Sequence, residues 1–362
     1  MPEDDEIVDS LDEATEVIPF TYSITSYGAD YPVDSIVKRV SSDDIIVPTF
    51  EHYEQLSNDL DAFQREYVWP RAKADRFIES LLLGLPVPGI FLVKEPSGRF
   101  LVLDGHQRLF TLRAFCDGII QGKEYRLQGV QKRFEDKTYR ELDVEDRRRI
   151  DDSIIHATVV RQDQPSEDWS SIYVIFERLN TGGISLQPQE IRMALYHGEF
   201  ALLLRKLNED KNWRRLLGVP SKRLKDIELT LRFFALLYHH SNYRSPMKDF
   251  LNRYMAANRN LEKQSAEELE KVFTRTTATI FDAMGPQAFK PTRGTNAALV
   301  DSLMVGIGTA VLSNKALDNT LVASGREALL QDPEFQAAIK TGTSQEPKVS
   351  LRIERSIGAF SK

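Results

Sequence analysis

The feature that most constrains the fold of this 362-residue chain is a change of texture near residue 165. Beyond it, "SIYVIFERLN", "QEIRMALYHGEFALLLRKL", "ELTLRFFALLYHH", "MKDFLNRYM", "AEELEKVFTRTTATIFDAM" and "ALVDSLMVGIGTAVL" follow one another. Each repeats apolar residues at three- and four-residue spacing, the period of a helix that buries one face. Before it, apolar runs are short, rich in Val and Ile, and separated by Gly, Pro, Ser and Asp, as strands joined by turns are. This segregation predicts an α+β chain: a small mixed sheet with helices, followed by an all-helical C-terminal region. Gln164-Pro165-Ser166 is the natural break, giving expected domains at 36–165 and 166–362.

The start of the chain stands apart. Residues 1–16 hold eight acidic side chains and no Lys or Arg, a composition too polar and too charged to bury a core, so residues 1–35 read as a disordered acidic head. Without that run the formal charge of -7 disappears, leaving 47 basic and 46 acidic residues, and a local basic face becomes compatible with the balance. No apolar run approaches the ~20 residues of a membrane span. A single cysteine, Cys116, excludes an internal disulfide framework and a Cys-rich zinc site. A cytoplasmic protein without membrane attachment is the expectation.

Within the first half, "IVKRVSSDDIIVPTFEHYEQLSNDL" reads as short β-rich pieces broken by Ser/Asp turns. Phe77, Ile78, Leu81, Leu82 and Leu85 lie at helical spacing behind Pro70, which predicts a helix over 71–83. "PGIFLVK" and "RFLVL" flank Glu95-Pro96-Ser97-Gly98 and predict a hairpin, and "IIHATVVR" at 154–161 predicts a further strand after the charged helical string "DVEDRRRI".

The chemistry concentrates in "LVLDGHQRLF", residues 101–110, a strand, a glycine turn and a helix. A helix that opens after Gly105 presents unpaired N–H groups and a partial positive charge, which attract phosphate. Arg108 adds a bidentate donor, and Asp104 can hold Mg or position water. His106 and Gln107 supply an imidazole and an amide at the same mouth. The helix dipole contributes only about 0.3–1 kcal/mol, so other groups must converge. "FQREYVWP" offers them: Gln64 and Arg65 for phosphates, Tyr67 and Trp69 to stack a base.

"FQREYVWP", "FIESLLLGLPVPGIFL", "LVLDGHQRLFTLRAF" and "FERLNTGGISLQPQEIRMALYHG" together resemble, in order, the ParB/sulfiredoxin-like domain at the N-terminus of GmrS-type subunits of GmrSD restriction enzymes and in the defence protein SspE. The resemblance is close over about 60–200 and loose to about 310. It implies a ParB/sulfiredoxin-like fold for the first domain, and a nucleotide-binding and hydrolysing site at an Asp-Gly-Gln-Gln-Arg motif, here Asp104, Gly105, His106, Gln107 and Arg108. His106 departs from that motif and introduces a group able to titrate near neutral pH. The resemblance also draws in Asn180, Thr181, Gly182 and Gly183 as nucleotide contacts; Glu190 and Arg192, two apart, are expected to brace separate neighbours. Sulfiredoxin-type redox chemistry is disfavoured, because its Gly-Cys-His-Arg turn needs a cysteine where His106 stands, and Cys116 reads as core.

Related systems pair this domain with an HNH nuclease. The six histidines, His52, His106, His156, His197, His239 and His240, do not make that motif, so the expectation is a separate nuclease or effector subunit. A basic run with Arg214, Arg215, Lys222, Arg223 and Lys225 is a candidate DNA-contact surface, with Arg147-Arg148-Arg149 a second cluster. The functional expectation is a sensor subunit of a prokaryotic anti-phage, type IV restriction-like system that binds and hydrolyses a nucleoside triphosphate with Mg, with homo-oligomerisation also open to it. The alternative is a ParB-like nucleotide-dependent DNA clamp or switch without significant turnover.

Overall fold

The computed structural model describes residues 7–9, 23–47, 69–164, 169–179, 186–292, 294–315 and 317–361. The chain forms two compact units: Thr21–Ser166 with Arg178–Ile184, and Met1–Phe20, Glu167–Glu177 and Ser185–Lys362. After β1 (Ile7–Asp9), which belongs with the helices, the sheet unit runs β2 (Ser23–Pro32), α1 (Val33–Ser41), β3 (Ile45–Ile46), α2 (Arg71–Leu82), β4 (Ile90–Lys94), β5 (Phe100–Asp104) and α3 (His106–Asp117). The short pair β6 (Ile119–Ile120) and β7 (Lys123–Glu124), then α4 (Val144–Asp151) and β8 (Ile154–Gln164), complete it.

The five strands lie in the order β2-β8-β4-β5-β3. Pairing alternates: β2 with β8 antiparallel, β8 with β4 parallel, β4 with β5 antiparallel, β5 with β3 parallel. The sheet is therefore mixed, as the sequence pattern predicts. Its inner strands read as continuous apolar runs because both faces are covered: Leu92, Val93, Leu101, Val102 and Leu103 are all buried. The β4–β5 hairpin closes through Glu95 N–H to Arg99 O and Gly98 N–H to Glu95 O, both 2.9 Å, with Gly98 at φ +88°.

Two expectations fail here. Strand β2 lies within the span expected to be a disordered head; the acidic run ends at Glu16, and Ala29 and Tyr31 beyond it pack on the core. "IVKRVS" is helical rather than β-rich, because Val33, Ile36 and Val40 share one face and bury it completely enough to override the weak helix propensity of β-branched residues.

The second unit is helical apart from a short parallel pairing of β1 with β9 (Thr295–Asn296). Its helices are α5 (Ser170–Leu179), α6 (Pro188–Leu195), α7 (Glu199–Asn208), α8 (Lys211–Leu217), α9 (Lys225–His239), α10 (Met247–Ala257) and α11 (Ala266–Met284). After β9 follow α12 (Ala297–Leu312), α13 (Asn319–Gln331), α14 (Pro333–Lys340) and α15 (Glu346–Ala359). Helix α12 is apolar on nearly every side and is packed by α9, α11 and α15. Two glycines permit this: a Cβ at Gly306 would meet Phe360 at 2.9 Å, and one at Gly308 would meet Phe233 at 2.8 Å. The Asp301 carboxylate, buried in α12, takes Arg232 at 3.0 and 2.6 Å and Arg352 at 2.8 Å. Among the described residues, no helix is long and apolar enough to cross a membrane.

Candidate functional site

Strand β5 is buried through Leu101–Leu103 and surfaces at Asp104, whose side chain is 42% exposed. Gly105 then turns the chain at φ +104°, a conformation an L side chain adopts only with strain. A Cβ there would also stand 2.9 Å from the Ile90 Cβ, so glycine is required on two grounds. Helix α3 begins at the next residue with no side-chain cap on its N-terminus among the described residues, an arrangement able to receive an anion.

Arg108 folds back one helical turn and donates from Nη2 to Asp104 Oδ2 at 2.7 Å. Its side chain is only 14% exposed, and its Nε is buried with no hydrogen-bond partner among the described residues. A buried guanidinium N–H left unsatisfied costs about 1–3 kcal/mol, so the turn holds a donor that an incoming oxyanion can complete. The ion pair also braces the turn.

His106 does not behave as the sequence suggests. Burial pushes its imidazole down to about 4, outweighing the Asp104 carboxylate and a hydrogen bond at the Val102 backbone, which both raise it; the Arg108 charge lowers it further. The ring is neutral around physiological pH and its charge does not switch there. Gln107 turns inward: its Oε1 accepts the Trp69 N–H at 3.3 Å, and its carbonyl accepts the Thr111 hydroxyl at 2.6 Å. Through that bond the motif is tied to the end of "FQREYVWP".

Trp69 itself is half-buried, edge-on to Phe77 at 5.6 Å, and packs on the core of the sheet unit. The Lys73 ammonium lies 4.7 Å from its ring centre. Lys73 lies in the first turn of α2, and its only signal in the sequence is a four-residue spacing from Trp69 across Pro70. Arg71 was also missed: its Nε reaches both oxygens of Asp75 at 3.1 Å, and its guanidinium stacks on Tyr125 at 4.1 Å. Burial pushes the Asp75 carboxyl up, against the pull of Arg71. Gln64, Arg65, Tyr67, Asn180, Thr181, Gly182 and Gly183 lie outside the described residues.

Cys116 is half-buried, and burial with the carboxylates of Asp151 and Asp117 pushes its thiol up to about 12, so a thiolate is not available to it. Among the described residues, no group of three or more His, Cys, Asp or Glu converges as a metal cage. Asp104 is suited to a different mode, since Mg is commonly held by one or two carboxylates together with the phosphates and water it accompanies.

The basic run of the helical unit is only partly a surface. Arg214 donates to buried Asp226 at 2.9 Å and to Asn208 at 2.8 Å, and Arg223 pairs with Glu190 at 2.9 Å. These two guanidiniums are engaged by buried or half-buried carboxylates, Arg214 with 17% and Arg223 with 34% of its side chain exposed, so the five residues do not form one free basic face. Arg215 stacks on Phe281 at 3.7 Å, while Lys222 is exposed and Lys225 half-buried. In the second cluster, Arg147 and Arg149 donate to the carbonyls of Arg140 and Leu82. Arg192 is fully buried against Glu228, Asn252 and Gln189, so Glu190 and Arg192 do have separate partners.

Residues 49–197 match the family model described as the N-terminal domain of the GmrSD restriction endonuclease. That span contains the whole Asp104–Arg108 turn and Trp69, and the match agrees with the resemblance carried by the four sequence blocks. No curated protein matches the chain.

Proposed function

We propose that this protein is a nucleotide-binding and nucleotide-hydrolysing sensor subunit of a prokaryotic restriction-type defence system, acting with a separate nuclease or effector subunit. The observation that carries the reading is the Asp104-Gly105-His106-Gln107-Arg108 turn, uncapped at the start of α3 and joined by Gln107 to Trp69. The match of residues 49–197 to the GmrSD N-terminal domain supports the restriction context.

The residues divide the work as follows. Arg108 holds phosphate oxygens, exchanging Asp104 for the ligand and using the Nε that has no partner among the described residues. Each charge-assisted hydrogen bond of this kind contributes about 1.5–3 kcal/mol, whereas micromolar affinity needs about 8 kcal/mol. Several donors must therefore act together: Arg108, the first N–H groups of α3 and Lys73. Asp104, once released from Arg108, orients the attacking water and would hold Mg with the phosphates; the ion supplies charge neutralisation there. His106 stays neutral and serves as a polar wall, since a group with its pKa near 4 is a poor base at neutral pH. Gln107 is a positioning residue.

The test is phosphate release from a panel of nucleoside triphosphates with magnesium, with and without DNA, comparing wild type with Arg108→Ala and Asp104→Ala. Release by wild type and its loss in both variants, with the fold intact by circular dichroism, is the expected result. Unchanged turnover in both variants refutes the assignment. Tight nucleotide binding without release would instead select a nucleotide-dependent DNA switch, which the ligand-free Asp104–Arg108 pairing also accommodates.

A further inference from the structure

Among the described residues strand β2 is an edge, and it carries little of what protects edges. Its ten residues pair with β8 on one side and close the sheet on the other. Val33 N–H donates to Ser153 O at 3.0 Å, next to the Pro32–Ile154 pair. Pairing alternates along an antiparallel ladder, so the odd-numbered residues of β2 bond to β8 and the backbone groups of Ile24, Ser26, Gly28 and Asp30 point away from the sheet. Exposed edges are usually blunted by Lys, by proline or by a bulge. Here the register is regular from Ile24 onward, proline enters only at Pro32, and no Lys is present. The one charged side chain, Asp30, is satisfied by His156 Nδ1 at 2.6 Å. Thr25, Ser26, Tyr27 and Gly28 are all exposed, Tyr27 at 44%.

We propose that β2 is a dimerisation edge, and that its occupant is β2 of a second copy of this chain, paired antiparallel about a two-fold axis at Gly28. The strand is complementary to itself in this register. Gly28 meets Gly28 of the other copy, so the backbones approach without side-chain crowding at the axis. Ser26 meets Asp30 of the other copy, a hydroxyl facing a carboxylate, and no like charges are opposed. On the core-facing side Tyr27 lies opposite Ala29, a large residue beside a small one. Ile24 meets Pro32, whose missing N–H ends the ladder. The neighbouring register, centred on Tyr27, would instead set Asp30 against Ile24. A single strand pair falls below the ~1,200 Å² of a standard stable interface, so the dimer is concentration-dependent. This inference does not depend on the nucleotide reading.

The experiment is sedimentation velocity of the full chain across a dilution series, for wild type and three substitutions at one position. Ser26→Pro removes an outward N–H without touching the β8 ladder and should give a monomer of unchanged melting temperature. Ser26→Asp opposes Asp30 of the second copy twice by symmetry and should weaken the dimer by roughly two- to thirty-fold, while Ser26→Lys should strengthen it by a similar factor. A wild type that stays monomeric throughout overturns the proposal, and so does a dimer that survives Ser26→Pro. If Asp and Lys shift the dimer in the same direction, the Gly28-centred pairing is wrong and the proposal is overturned.

Discussion

Replacing Asp104 by Asn separates two roles that the ion pair with Arg108 combines. To reach Arg108 Nη2, a phosphate must displace the carboxylate, which sits there at 2.7 Å. Asp104 is 42% exposed, so the pair is partly screened and belongs at the modest end of ion-pair energies, about 0.2–1 kcal/mol. Asn keeps the shape and removes the charge, and metal-free nucleotide affinity should therefore rise by about 1.4- to 5-fold. Loss of carboxylate–phosphate repulsion acts in the same direction. With magnesium present the order reverses, since the variant has lost the carboxylate that would hold the ion, and phosphate release should fall by at least an order of magnitude. Titration calorimetry in chelator and in magnesium, with phosphate release measured alongside, reads all three quantities. Weaker metal-free binding by Asp104→Asn, or hydrolysis at the wild-type rate, would refute the reasoning.

Other consequences are equally open to measurement. His106 has a folded-state pKa near 4, below its ordinary 6.5, so the unfolded chain binds the extra proton first on acidification. The stability this group contributes is full above about 6.5 and is lost as pH falls towards 4; His106→Gln should flatten that part of a denaturation-versus-pH curve and leave the rate profile around neutral pH unchanged. Gly105→Ala combines a left-handed φ with a clash on Ile90 and should cost about 2–5 kcal/mol in a urea titration. Gln107→Ala should raise KM for nucleotide with little change in kcat, and Gln107→Glu, which keeps an oxygen for the Trp69 N–H, should restore it. Asp301→Leu leaves two buried guanidiniums without their shared carboxylate and should lower stability by about 3–5 kcal/mol.

What the sequence revealed was mostly local. Helix α2 and the β4–β5 hairpin follow from spacing and from Pro70, Pro96 and Gly98, and the observed Arg71–Leu82 differs from the expected 71–83 by one residue. The turn at Gly105 was legible for the same reason. Strand β2 was not: its exposed half shows no burial alternation, and its partner β8 lies more than a hundred residues away. The Asp104–Arg108 pair spans four residues across the turn from β5 into α3 and could be anticipated, whereas the Gln107–Trp69 bond exists only once α2 and α3 are brought together in the sheet unit. Arg214 and Arg223 resemble solvated helix charges in a linear reading, because nothing in the sequence marks Asp226 and Glu190 as their partners.

The neutral imidazole at position 106 bears on how such a motif drifts. A neutral histidine ring offers one donor and one acceptor, and a glutamine amide can offer both as well. Their codons differ by a single base. Because burial keeps His106 uncharged, a lineage can exchange the two residues without ever placing a cation between Asp104 and Arg108. The flanks have no equivalent exchange: glutamate keeps the charge of Asp104 but lengthens its arm, lysine keeps that of Arg108 but loses the guanidinium fork, and any side chain at 105 is strained at φ +104°. Exchange between His and Gln at 106 should therefore be tolerated more readily than any change at Asp104, Gly105 or Arg108.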